Sequence, residues 1–95
     1  MEIKKNREGD KLVLAPQGRI DTVTAPDLES AVVLDGVAEL VFDLSAVDYV
    51  SSAGLRVLLS AQKKMAKGKM VIANARPAVK EVFDITGFSD IFTFE

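Results

Sequence analysis

The 95-residue sequence contains no cysteine and no histidine. The first absence removes disulfides, thiolate nucleophiles and thiolate-held metals together. The second removes the commonest general base and metal ligand, so a serine hydrolase would have to work without an imidazole. No Gly-x-Ser-x-Gly turn surrounds the serines, and no P-loop pattern points to nucleotide hydrolysis. Basic residues are not in excess: 12 Lys and Arg stand against 14 Asp and Glu, a net charge of −2. That balance disfavours a general nucleic-acid binder. Long apolar runs are missing too, and Met1-Glu2-Ile3-Lys4-Lys5 lacks the form of a secretory signal, so a cytoplasmic protein is expected.

What is present is enough for one small core. Hydrophobic residues make up 48% of the chain, and no linker, repeat or low-complexity tract divides residues 1–95, so one domain is expected. Ile3 to Glu8 and Lys11 to Ala15 are strand candidates separated by the turn Gly9-Asp10, and Pro16 ends the second or puts it on an edge. Gly18-Arg19-Ile20-Asp21 leads away from it. Thr24-Ala25-Pro26-Asp27 starts a first helix with a capping hydroxyl and an early proline. Leu28, Ala31 and Val32 form its buried face, and Asp35-Gly36 stops it. Leu40 to Leu44 is a nearly continuous apolar run, the pattern of a strand covered on both faces.

The clearest element is a second helix over about Ser52 to Lys67. Leu55, Leu58, Leu59, Met65 and Ala66 share one face, the lysines fall late, and Gly68 fits the position just past the end. Lys69 to Ala73 is the next strand. A third helix runs from about Pro77 to Gly87 and buries Val79, Val82 and Phe83, and Ile91 to Phe94 closes the chain as a strand. The order β-β-α-β-α-β-α-β gives a hairpin followed by parallel crossovers, hence a mixed sheet with helices packed on it.

Ser51 and Ser52 stand where the second helix begins. Free N–H groups and the positive end of the helix dipole favour an anion at such a place. A serine pair there also serves as a cap, and Ser51 is the better placed to do so, with Ser52 at the first helical position. Around the pair, Asp21 and Asp48 are candidates for positioning a partner, against their reading as solvated turn residues. Gly54 either admits a partner to the helix start or packs closely on the sheet. Arg56, one turn beyond Ser52, can meet a partner's acids or stay in solvent. Asp43 is read as an acceptor of nearby hydrogen bonds. Lys63, Lys64, Lys67 and Lys69 read as a solvated helix end, and Phe83, Phe88, Phe92 and Phe94 as core.

Taken in order, Gly18-Arg19-Ile20-Asp21 with Thr24-Ala25, Asp43-Leu44-Ser45, Tyr49-Val50-Ser51-Ser52-Ala53-Gly54-Leu55 and Ile85-Thr86-Gly87-Phe88 resemble the STAS domain, specifically the bacterial anti-sigma factor antagonists. The resemblance covers essentially the whole chain. It implies a small α/β domain with a mixed sheet of four to five strands and helices mainly on one side. It also implies partner switching by a non-enzymatic regulator that needs no cofactor and is a monomer when free. The unphosphorylated form binds an anti-sigma factor that is also a serine kinase, and a sigma factor is released. Phosphorylation of one serine ends the complex, and a metal-dependent serine phosphatase restores it. The acceptor lies two residues before the motif glycine, which is Ser52. The family's common Asp-Ser-Ser/Thr-Gly-Leu is here Ser51-Ser52-Ala53-Gly54-Leu55, which makes Ser51 a rival acceptor. Partner contacts are expected from Asp21, Asp48, Ser51, Ser52, Gly54 and Arg56. The competing expectation is a STAS subunit that does not switch, built into a transporter-associated or stress-signalling complex, with both serines acting only as caps.

Overall fold

The computed structural model describes residues 1–95. Strand β1 (Ile3–Glu8) turns at Gly9-Asp10 into the antiparallel β2 (Lys11–Pro16), with Ile3 opposite Pro16 and Glu8 opposite Lys11. Strands β3 (Gly18–Ile20) and β5 (Val47–Val50) form a separate parallel pair. Strands β4 (Glu39–Asp43), β6 (Lys69–Ala73) and β7 (Thr93–Phe94) complete the main sheet, of spatial order β1-β2-β4-β6-β7. Every neighbour pair after the hairpin is parallel. Helices α1 (Ala25–Ala31), α2 (Ser52–Lys64) and α3 (Pro77–Thr86) supply the crossovers.

Alternation within the strands sets which face they present. Leu12, Leu14, Leu40, Phe42, Met70 and Ile72 join one cluster with Leu28 and Ala31 of α1, Leu55, Leu58 and Ala61 of α2, and Val79 and Phe83 of α3. All three helices therefore bury their apolar stripes on the same face of the sheet. The intervening residues Val13, Val41 and Val71 are in register on the other face, and Val41 and Val71 are buried as well. This explains the continuous apolar run of β4. The carboxy-terminal aromatics are core: Phe83 meets Phe92 and Phe94 edge-on, with ring centroids 5.7 and 5.3 Å apart, in the geometry that the ring quadrupole favours.

Several local expectations are corrected. Gly18 to Ile20 does not simply lead away; it pairs with Val47 to Val50, a strand that the sequence pattern does not announce. The last segment begins with a 3₁₀ turn, Phe88–Asp90, and only Thr93–Phe94 is strand. Helix α1 stops at Ala31, before Asp35-Gly36; the β-branched pair Val32-Val33 that follows is a poor helix former. Helix α2 ends at Lys64, with Met65 as its closing residue, so Gly68 is not its terminator. Gly68 is needed for another reason: a Cβ there would lie 2.5 Å from the Ala38 carbonyl oxygen. Gly87, by contrast, ends α3 as expected, in the left-handed conformation at φ 80°.

Candidate functional site

The site is built where the β3–β5 pair feeds α2. Its strands are short, and its hold on the core comes from Ile20, Val47 and Val50, all buried. The register is interrupted: Gly18 faces Val47, but Arg19 faces Tyr49. Asp48 is the extra residue of a bulge, which turns it away from the ladder. Its carboxylate takes the Arg76 guanidinium at 2.6 Å, while Arg76 Nε donates to the Ser45 carbonyl at 2.8 Å. Asp48 thus fastens the segment before α2 to the start of α3. On the neighbouring pair, the Arg19 guanidinium lies 4.4 Å from the centre of the Tyr49 ring, a cation–π contact at the surface.

One more backbone bond carries the pairing into the helix: Ser51 N–H donates to the Ile20 carbonyl at 2.8 Å. Ser51 is extended, with φ −88° and ψ 177°, and its hydroxyl oxygen accepts from Gly54 N–H at 3.4 Å. Ser51 is therefore the N-cap, as expected from its position. Ser52 is the first helical residue and is exposed, and its hydroxyl makes no hydrogen bond within the chain. Gly54 is buried, and the space beside its α-carbon is already filled: a Cβ would stand 2.7 Å from Ile20 Cγ2 and 3.0 Å from Val50 Cγ1. Close packing of α2 on β3 and β5 is what this glycine allows.

Asp21 sits just past β3 and organises the entry to α1. Its Oδ1 accepts from the N–H groups of Val23 and Thr24 at 3.0 and 3.1 Å. The Thr24 N–H above all, joined by Val23 N–H, the Thr24 hydroxyl and the Arg19 charge, outweighs desolvation and holds the carboxyl below the ordinary aspartate value. Thr24 does not cap α1 with its side chain, contrary to expectation. Its hydroxyl accepts from Asp21 N–H and donates to the Arg19 carbonyl at 2.7 Å, so it closes the loop instead. Asp43 behaves as read from the sequence. Burial raises its pKa, but donors from Ser45 N–H and the Asn74 amide more than offset this and leave it below the usual value. Asn74 holds the left-handed conformation there, at φ 59°.

Beyond Ser52, a groove of about 380 Å³ runs between α1 and α2, lined among others by Thr22, Pro26, Glu29, Ala53 and Arg56. The geometry thus brings Asp21, Ser51, Ser52 and Arg56 to one end of the molecule. It sends Asp48 toward α3 and Gly54 into the interior. Four further residues stand at this end without a site role read from the sequence: Arg19 and Tyr49, which belong to the resemblance fragments, and Thr22 and Val23, which do not. Val23 is 83% exposed in its loop, a placement that no local feature of the sequence signals. The lysines at the far end of α2 are exposed and unpaired, as a solvated helix end requires.

This architecture is that of a STAS domain, and the family's sequence profile matches residues 2–95. The chain belongs to the STAS domain family. Its relatives carry the name of anti-sigma factor antagonists. BtrV of Bordetella bronchiseptica is 37% identical over 97% of this chain and 84% of its own length. The anti-sigma-B factor antagonist of Listeria monocytogenes is 34% identical, over 92% of this chain and 81% of its own. Among solved structures, an anti-sigma factor antagonist from Mycobacterium paratuberculosis superposes with a TM-score of 0.87 at 33% identity, covering 98% of this chain and 83% of that one. No helix of the structure is long and apolar enough to cross a membrane.

Proposed function

We propose that this protein is an anti-sigma factor antagonist whose partner choice is set by phosphorylation of Ser52. Unmodified, it binds an anti-sigma factor that is also a serine kinase, and a sigma factor goes free. In the switching step the Ser52 oxygen forms a bond to the γ-phosphorus of ATP, the bond to ADP breaks, and the hydroxyl proton passes to a base on the kinase. A metal-dependent serine phosphatase reverses the state by hydrolysis. The names of the relatives support the class, and a distant STAS structure described in a phosphorylated form is consistent with a fold that tolerates the group.

The observation that carries the choice of residue is the division of labour at the helix start: Ser51 is spent on the cap, and the exposed Ser52 hydroxyl is unengaged. Phosphorylation adds roughly −1.5 to −2 charges at neutral pH. Within the chain the helix dipole offsets part of this, so the fold survives. Across an interface the same dianion must be desolvated or face a partner's acids. A penalty of about 3 kcal/mol changes affinity more than a hundredfold.

Binding of the anti-sigma kinase to S52A and S52D variants tests the reading. S52A should bind like the unmodified protein and S52D at least tenfold more weakly. Equal retention of both would leave a non-switching subunit as the better description.

A further inference from the structure

Helix α2 carries an arginine four residues after Ser52, and neither side chain is committed. Both are exposed, no ion pair involves the Arg56 guanidinium, and no hydrogen bond involves either side chain. Residues i and i+4 are surface neighbours on a helix, with Cβ atoms roughly 5–6 Å apart. An arginine fork at that separation reaches a phosphate and binds it through charge-assisted hydrogen bonds. The other charges around this point have their own places. Asp21 is held by Val23 and Thr24, Arg19 lies over Tyr49, and Glu29 lines the groove from α1. Position 51 is a neutral serine, and although Glu29 lines the same groove, no carboxylate is ion-paired to the guanidinium.

Resting on the reading of Ser52 as acceptor, we propose that Arg56 is the internal receiver of the phosphate. In the unmodified protein Arg56 is exposed beside the α1–α2 groove, and its guanidinium is open to a carboxylate of the anti-sigma factor. In the modified protein it pairs with phosphorylated Ser52 within the same chain and is withdrawn from the contact surface. Phosphorylation then acts twice, adding negative charge at the helix start and removing a cation beside it. Arg56 is a positioning residue and takes no part in the transfer itself.

The pairing is read by encoding phosphoserine directly at position 52, so no kinase is needed, and following the phosphate by ³¹P NMR titration in otherwise native, R56Q and K63Q chains. R56Q should raise the second ionisation of the phosphate by roughly 0.3 pH units, whereas K63Q, at the far end of α2, should leave it unchanged. Identical values for the native and R56Q chains, or an equal rise in K63Q, would overturn the role of Arg56 while leaving Ser52 as acceptor untouched. A kinase that modifies Ser51 and never Ser52 would instead remove the acceptor reading, and the switch with it, even if the titration difference stands.

Discussion

In β4, three consecutive residues, Leu40, Val41 and Phe42, are buried, and a parallel neighbour lies on each side. In β5 only the two ends, Val47 and Val50, are buried, while Asp48 and Tyr49 face outward and one short strand pairs with it. The main sheet is fixed by apolar area on both faces. The β3–β5 pair is fixed by a few apolar anchors and by polar contacts: the Asp21 loop, the Asp48–Arg76 pair and the Ser51 cap. A charge arriving at the second region meets solvent, free N–H groups and a helix dipole. The same charge in the first would meet hydrocarbon. The contrast is the physical reason that the proposed phosphate belongs at the start of α2 and nowhere along β4.

Removing bulk from the sheet should break the comparison most severely. Phe42→Ala is expected to cost about 3–5 kcal/mol in urea unfolding, because it leaves a cavity at a fully buried position of the core. Adding bulk at the junction should cost less. Gly54→Ala gains up to about 1 kcal/mol in helix propensity but pushes a methyl against Ile20 and Val50, for a net loss of about 1–2 kcal/mol. If Gly54→Ala were neutral, the close packing of α2 on β3 would not matter to stability.

The serine pair sharpens the contrast at a finer scale. Ser51→Ala removes the cap and should destabilise by about 1 kcal/mol, whereas Ser52→Ala should stay within about 0.5 kcal/mol of the parent. Equal losses in thermal unfolding would mean that both hydroxyls are structural. The smallest effect belongs to acid titration. Asp43 ionises below the ordinary value of 3.8 in the folded chain. Its contribution is therefore complete above that value and is lost as pH falls through the lowered one. Asp43→Asn should flatten the stability curve below about pH 4 and leave its slope at neutral pH unchanged.

Much of the main sheet was legible because burial writes a pattern into sequence. Leu40 to Leu44 and Lys69 to Ala73 are short apolar runs buried on both faces, and the stripe of α2 repeats at helical spacing. The β3–β5 pair was not legible. Three residues opened by a glycine and four interrupted by Asp48 carry no period, and the bulge that pairs Arg19 with Tyr49 is a long-range fact. Gly68 was misassigned for a related reason: a helix terminator and a close approach to Ala38 look alike in one dimension. At the candidate site, the helix start and its capping serine were readable from local chemistry. The Asp48–Arg76 pair and the exposed Val23 depend on which segments meet in space.

The most direct test is to incubate the protein with the proposed partner, an anti-sigma factor that is a serine kinase, and ATP, and to locate the phosphate by fragment mass spectrometry. The account predicts modification of Ser52 with Ser51 left intact. Phosphate on Ser51 alone, or none on either while the kinase modifies another antagonist, would contradict it.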